Sequence, residues 1–473
     1  MRVMRCKPFG KAAAICVFEA GRVGLRGKPG IPISQKDEPM NKRPNRVALV
    51  RALSLCALFS LAAIAFAKEA VNSHKPEQRG HDKQGLIVIA HRGASGYRPE
   101  HTLEAYRLAI QQGADFIEPD LVATKDGVLI ARHENEISGT TDVAAHPEFA
   151  GRKTTKLVDG VAMTGWFTED FTLAEIKTLR AKERIPQIRP GNTRFDGQYA
   201  IPTFAEVVQL AKQESRGARR IGVYPETKHP TYFAKEGRRI DGSPIAVSLG
   251  AKLIETLVAE GFTNPAQVYI QSFEFENLIE LEKRWMPAAG VDLPLVQLYD
   301  DFYAAKPYDV VYNASHGANL TALYGGLIGQ VEGGINANTL YGAFATEQVL
   351  QWMKANYASG VGPWKGNLLP RQPLSVKVDA NRDGKAELAG QGTGLVHPML
   401  GWALKAGLQV HPYTLRAEES FLAQTPGGIP QSVIAEAVQL YGLGVQGFFI
   451  DQPDQGVAAR EIFLDLSRLL RDR

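Results

Sequence analysis

Past Cys56 the 473-residue chain contains no cysteine; its three, Cys6, Cys16 and Cys56, all lie near the start. That excludes disulfides and thiol nucleophiles downstream, so the body of the protein rests on its core, or on its core and a bound ion. The apolar run from Ala52 to Ala67 falls short of the roughly 20 residues a membrane-spanning helix needs. Positive charge is also scarce beyond the start. Met1–Ala67 holds 12 of the 54 Lys and Arg but 3 of the 50 Asp and Glu, which leaves Lys68–Arg473 with 42 basic and 47 acidic residues, a formal net of −5. With no stripe of Lys and Arg, binding to nucleic acid loses its electrostatic basis. No Gly-x-Gly-x-x-Gly loop follows the first apolar segment, which argues against a nucleotide-binding open sheet.

The early segment reads as a leader. From Met40, four basic residues (Lys42, Arg43, Arg46, Arg51) precede the apolar run, which closes on Ala65-Phe66-Ala67, a small-x-small cleavage pattern. Residues 40–67 are therefore expected to be a cleaved signal peptide. Residues 1–39 match neither signal nor domain and read as an extension upstream of a start at Met40. Leu55 is too bulky for Cys56 to read as a lipid-modified cysteine. Residues 68–85 form a linker and 86–473 a catalytic domain, expected to be periplasmic or secreted with no stable membrane anchor.

Eight short apolar segments recur along the domain: Leu86–Ala90, Asp115–Val122, Ile221–Glu226, Val268–Ser272, Leu293–Leu298, the surroundings of Gly360–Gly362, Leu408–Thr414 and Val445–Ile450. Helical patterns lie between most of them, at Leu103–Gln112, Ser248–Glu260, Phe275–Arg284, Thr346–Asn356, Pro398–Ala406 and Ser432–Tyr441. Alternating strands and helices predict an α/β fold of the TIM (β/α)8 type. Residues 134–220 are too long for a loop and predict an inserted lobe at the active face, followed by a return helix. Residues 300–357 interleave glycines with Tyr303, Tyr308, Tyr312, Tyr324 and Tyr341, which would either bind sugar or glycerol groups or pack a long connection.

Polar residues collect at strand ends, where such barrels place their chemistry. The first strand ends in His91-Arg92-Gly93, and Pro99-Glu100-His101-Thr102 opens the next helix. Glu118 and Asp120, two apart, share a strand face. Asp126-Gly127 predicts a two-residue hairpin turn, which puts Lys125 opposite Val128 and Asp120 opposite His133. Glu226 closes another strand with Lys228 on the same face. Three converging carboxylates are costly to ionise together without a cation, and an all-oxygen set suits Ca2+, or Mg2+ second, better than zinc. Ion pairing to Arg92 and Lys228 is the alternative.

His91-Arg92-Gly93, Glu118-Pro119-Asp120, Lys125-Asp126-Gly127, His133 and Glu226-x-Lys228 together resemble the glycerophosphodiester phosphodiesterase family, most closely its exported branch. The resemblance runs from Leu86 to the C-terminus and includes Val410–Thr414 and Gly447–Asp454. It implies hydrolysis of a small glycerophosphodiester to glycerol 3-phosphate and an alcohol. It also implies His91 and His133 as acid–base pair, Glu118, Asp120 and Glu226 as metal ligands, and Arg92 and Lys228 as phosphate contacts. His101 stands where much of the family has asparagine, and Glu134 where aspartate is common.

Weaker signals remain. Tyr413, at a strand end, could reach the pocket; Phe448 and Phe449 would either wall a glycerol site or fill the core; His397 and His411 read as structural. Asp379-Ala380-Asn381-Arg382-Asp383-Gly384 matches the first half of an EF-hand loop, but its twelfth position is Gly390 rather than glutamate. The rival functions are a lipid-directed phosphodiesterase of phospholipase D type and a non-catalytic binding protein for glycerophosphodiesters.

Overall fold

The structure is a computed structural model that describes residues 85–471. The expected signal peptide, the expected upstream extension, nearly all of the expected linker and the three cysteines lie outside the described residues.

Eight barrel strands follow the order of the eight apolar segments. They are β1 (Ile87–His91), β2 (Phe116–Glu118 and Asp120–Ala123), β3 (Gly222–Val223 and Glu226–Thr227), β4 (Ile270–Ser272), β5 (Leu295–Tyr299), β6 (Ala358–Pro363), β7 (Gln409–Val410) and β8 (Gly447–Ile450). Each is parallel to its neighbour, from β8–β1–β2–β3 to β3–β4–β5–β6–β7. The ladder is not continuous, and prolines explain the breaks. Pro119 and Pro225 interrupt β2 and β3 because neither has an N–H to donate. Their carbonyls still accept from Glu226 (3.0 Å) and Gln271 (2.9 Å). At the β7–β8 seam the chain passes Pro412, and the strands meet through a Leu415–Ile450 bridge and through Phe449 N–H to Pro412 O (3.0 Å). For the same reason the expected strand Leu408–Thr414 pairs regularly only at Gln409–Val410.

Alternation along the strands sorts two cores. Outward residues such as Val88, Ala90, Ile117, Phe448 and Ile450 pack beneath the helices. Inside the ring, Ile89, Phe116, Tyr224, Val296 and Phe449 form a separate plug. Tyr224 lies at its centre, edge-on to Phe449 at 5.0 Å and stacked on Tyr269 at 5.0 Å. The inward rows therefore run Ile87-Ile89-His91, Phe116-Glu118-Asp120, Tyr224-Glu226-Lys228 and Gly447-Phe449-Asp451. Aromatic residues close the barrel and charged residues occupy its C-terminal rim.

Helix α1 (Leu103–Gln111) starts where the sequence predicts, because Thr102 accepts the N–H of Ala105 at 3.1 Å. The expected Phe275–Arg284 helix is less regular. It is α-helical over Phe275–Glu280, widens over Leu281–Trp285 and ends at Gly290, whose φ is 66°; Pro287 cannot supply the N–H that a regular turn would use.

The hairpin after β2 corrects the expected register. Leu121, Val122 and Ala123 face Ala131, Ile130 and Leu129. Thr124 N–H meets Val128 O at 3.0 Å, so the turn has three residues, Lys125-Asp126-Gly127, with Gly127 at φ 76°. A left-handed glycine closing a three-residue turn shifts the pairing by one. Asp120 consequently faces Arg132, whose N–H it accepts at 2.9 Å, and His133 lies one residue beyond.

Residues 134–220 contain short helical turns, an antiparallel pair Thr154–Val158 and Val161–Gly165, and the helix Phe204–Glu214. Within 300–357 the tyrosines are mostly engaged in packing: Tyr341 donates to Phe273 O (3.1 Å), Tyr308 to Glu236 (2.7 Å) and Tyr324 to Asp309 (3.2 Å). Tyr303 is exposed. Among the described residues no helix is long and apolar enough to cross a membrane.

Candidate active site

Strand register builds the site. His91 is paired with Glu118 across β1–β2, and Asp120 with Glu226 across β2–β3. Glu118, Asp120 and Glu226 each offer a carboxylate oxygen, all within 4.8 Å of one another, and all three are buried. Gln271, the register partner of Glu226 on β4, donates to Glu118 Oε1 at 3.0 Å. Asp120 Oδ2 contacts His101 Nε2 at 2.9 Å, and His101 Nδ1 contacts the Tyr106 hydroxyl at 2.7 Å.

Two cations flank the acids. The Arg92 N–H donates to Glu118 Oε2 (2.8 Å), its guanidinium reaches Glu100 (3.1 Å), and its Nε is 3.3 Å from Asp120. Lys228 Nζ is 2.6 Å from Glu226 and 3.9 Å from Asp120. Arg92 and His101 both adopt positive φ, 60° and 56°, and are bound to each other by His101 N–H to Arg92 O at 3.1 Å. Strained non-glycine backbone held in this way is a feature of sites whose side-chain directions matter.

Even with both cations present the acids are not balanced. Burial, then the charges of Asp120 and Glu226, drives the Glu118 carboxyl well above its ordinary range. Glu226 is pushed up to about 8, by burial and by Asp120 against the opposing pull of Lys228. Burial opposes ionisation of Asp120 too, but Lys228 and His101 outweigh it and hold that group low. Asp120 Oδ1 is buried without a hydrogen-bond partner, and Glu226 Oε1 has the Lys228 ammonium at 2.6 Å as its counter-charge. An unpartnered Asp120 oxygen beside two carboxyls whose pKa is raised fits a hard cation, and the cluster could hold one.

Two histidines, each held by a carboxylate, stand at this end of the barrel. His91 Nδ1 lies 2.5 Å from Asp451 Oδ1, and Asp451 is held by Arg189 and by Arg416 Nε (2.9 Å). Burial and then Arg92 lower His91 to about 4, so it is neutral at pH 7. With Nδ1–H on the carboxylate, Nε2 is left to accept; Thr414 Oγ1 lies 3.4 Å from it. His133 Nδ1 lies 2.7 Å from Glu134, and burial, Arg92 and Lys228 lower it to about 3. One residue past Arg132, whose N–H bonds Asp120 O, His133 still lies at the same end of the barrel despite the shifted register.

The structure thus gathers His91, Arg92, Glu118, Asp120, His133, Glu226 and Lys228. Phe449 is not among them: it is 1% exposed inside the aromatic plug, below the charged rim. Tyr413 borders the site, with its ring 5.7 Å from Phe273 and Lys228 above that same ring, but its hydroxyl is engaged by Tyr299 O at 2.9 Å. Sequence reasoning missed Glu100, Gln271 and the role of Asp451. Asp451 carried a usable signal, since it ends an apolar strand two residues past Phe449. Gln271 carried none, because an uncharged amide within a strand is unremarkable. Arg189 and Arg184, from the inserted segment, reach Asp451 and Glu100 respectively.

Comparison with known proteins agrees with this geometry. Residues 91–326 match the glycerophosphoryl diester phosphodiesterase family. A glycerophosphodiester phosphodiesterase of Arabidopsis thaliana is 33% identical over 373 residues, covering 77% of this chain and 82% of the relative. The chain belongs to the glycerophosphoryl diester phosphodiesterase family. It is accordingly an enzyme, a phosphodiesterase. A glycerophosphodiester phosphodiesterase of Haemophilus influenzae is 29% identical over 394 residues, covering 79% of this chain and 90% of that one. An Oleispira antarctica phosphodiesterase, solved with its product sn-glycerol-3-phosphate, aligns over 80% of this chain and 97% of its own at 16% identity, with a TM-score of 0.45.

Proposed function

We propose that the chain hydrolyses small glycerophosphodiesters to glycerol 3-phosphate and the free alcohol, with His91 and His133 as the acid–base pair. The observation that carries this reading is the convergence of the Glu118–Asp120–Glu226 cluster with Arg92, Lys228 and two carboxylate-anchored histidines at one barrel rim.

Glu118, Asp120 and Glu226 would hold a divalent cation, Ca2+ ahead of Mg2+, which when bound supplies charge stabilisation to the phosphoryl oxygens. Arg92 and Lys228 bind the phosphodiester anion and offset the charge that builds on it. Each histidine has its Nδ1 engaged by a carboxylate, which leaves Nε2 for proton transfer. One imidazole, neutral, takes the proton of the attacking glycerol hydroxyl as its oxygen bonds to phosphorus; the other enters as imidazolium, its Nε2 proton taken up as the bound diester anion offsets Arg92 and Lys228, and gives that proton to the departing alcohol as the second P–O bond breaks. Water then opens the cyclic phosphate with the proton movements reversed, leaving glycerol 3-phosphate. The leader-like segment at 40–67 supports a location outside the cytoplasm.

The test is glycerol 3-phosphate release from glycerophosphocholine with Ca2+, Mg2+ or excess chelator. Turnover abolished by chelator and restored by one ion is expected. A folded sample that releases nothing with any ion would overturn the proposal.

A further inference from the structure

A second cluster of oxygen ligands lies away from the triad. Asp379, Asn381 and Asp383 occupy alternate positions of the loop after the strand Arg371–Val378, and Gly384 follows at φ 90°. Asp379 accepts the N–H of Gly384 at 2.9 Å, Asn381 that of Asp383 at 2.9 Å, and Asp383 that of Lys385 at 2.9 Å. By itself such a loop is only a well-bonded polar turn. Its twelfth position, where an EF-hand loop has a bidentate glutamate, is Gly390.

The missing carboxylate comes from elsewhere in the chain. Glu419, at the start of the short turn Glu419–Phe421, is 5% exposed. One of its oxygens accepts the N–H of Ala380, the second residue of the loop, which fixes the side chain against it. The other oxygen, Oε2, is buried without a hydrogen-bond partner. A buried carboxylate oxygen with nothing to satisfy it, held against a loop of oxygen donors, lacks a positive partner.

We propose that the Asp379–Glu387 loop and Glu419 form a second cation site, for Ca2+, distinct from the triad at the barrel rim. Asp379, Asn381 and Asp383 supply side-chain oxygens, Lys385 its carbonyl, and Glu419 substitutes for the absent twelfth ligand. Glu387, at the ninth position, completes the set directly or through water. Such a mixed set of five or more oxygens suits Ca2+, whose coordination is flexible, better than Mg2+. Among the described residues only the triad has three acidic ligand atoms within 4.8 Å of one another, so an ion would draw the loop and Glu419 closer together. The site also has a structural consequence. Glu419 follows Glu418 directly and Arg416 by three residues; these pair with Arg189 and with Asp451 respectively. An ion on Glu419 would pin the segment that supports His91 through Asp451.

The experiment is Ca2+ stoichiometry by equilibrium dialysis with radiolabelled ion on the full chain. Wild type is compared with Asp379→Asn/Asp383→Asn, with Glu419→Gln and with Glu118→Gln/Glu226→Gln. The loop variant and Glu419→Gln are each expected to bind one ion fewer per chain than wild type, and the triad variant to keep the loop ion. A loop variant that binds as many ions as wild type overturns the proposal, as does a folded wild type that binds none. A folded Glu419→Gln that keeps the ion overturns the remote ligand. Asp383 is exposed and Asp379 lies in the same surface loop, so the loop variant decides the matter even if Glu419→Gln does not fold.

Discussion

His91 and Asp451 are 360 positions apart in sequence, yet His91 Nδ1 lies 2.5 Å from Asp451 Oδ1, across the contact between the first and last barrel strands. Two arginines, Arg189 and Arg416, hold the aspartate. Asp451 therefore fixes the imidazole's tautomer and direction and pairs with two cations, the buried Arg189 and the half-buried Arg416. Asp451→Asn is expected to lower kcat by about 10²-fold or more, because the ring can then present the wrong nitrogen. It should also cost about 3 kcal/mol, since the buried Arg189 loses a charged partner. Steady-state kinetics and denaturant unfolding separate the two effects.

Gln271 touches the ion site only through Glu118. Gln271→Ala is expected to weaken the affinity for the activating ion by about 10- to 100-fold, while kcat at saturating ion changes little. Activity measured as a function of free ion concentration checks this. A fall in kcat with an unchanged ion requirement would show that Gln271 acts on the substrate instead.

His229 and His411 make opposite contributions to the pH dependence of stability. His229 bonds Asp159 (2.6 Å) and Glu134 (3.1 Å), and although burial opposes its charge, these acids raise it to about 10. Its folded form binds the proton more tightly than the unfolded chain does, so its contribution is full below about pH 6.5 and is lost as pH rises towards 10. His229→Asn should flatten the stability profile on the alkaline side.

Burial lowers His411 to about 3, where it shares a hydrogen bond with the Tyr224 hydroxyl at 2.9 Å. The unfolded chain binds this proton more readily, so stability is lost as pH falls from about 6.5 towards 3. His411→Gln should reduce acid sensitivity, measured by urea unfolding between pH 4 and pH 7.

Phe449 belongs to the aromatic plug. Phe449→Ala is expected to destabilise the fold by about 3–5 kcal/mol through a cavity while leaving KM near the wild-type value. A raised KM in a protein of undiminished stability would return Phe449 to the binding site.

Much of this was legible in the sequence because the signals were local. Strand alternation alone placed Glu118 with Asp120 and Glu226 with Lys228 on shared faces. Thr102 announced its helix, since an N-cap acts within three residues. The hairpin register depended on the conformation of a single glycine. Asp-Gly is compatible with turns of two or three residues, and the left-handed Gly127 selected three.

By itself the sequence determined which residues share a strand face, the succession of strands and the residues at their ends, because a period of two and a strand terminus are properties of adjacent residues. Tertiary structure alone decided that Asp451 would hold His91, that Gln271 would support Glu118, and that Glu419 would lie against the Ala380 loop. Those pairings arise where the ring closes or a loop folds back. The distance between two side chains is set there by how whole strands pack, and nothing in the intervening sequence records it.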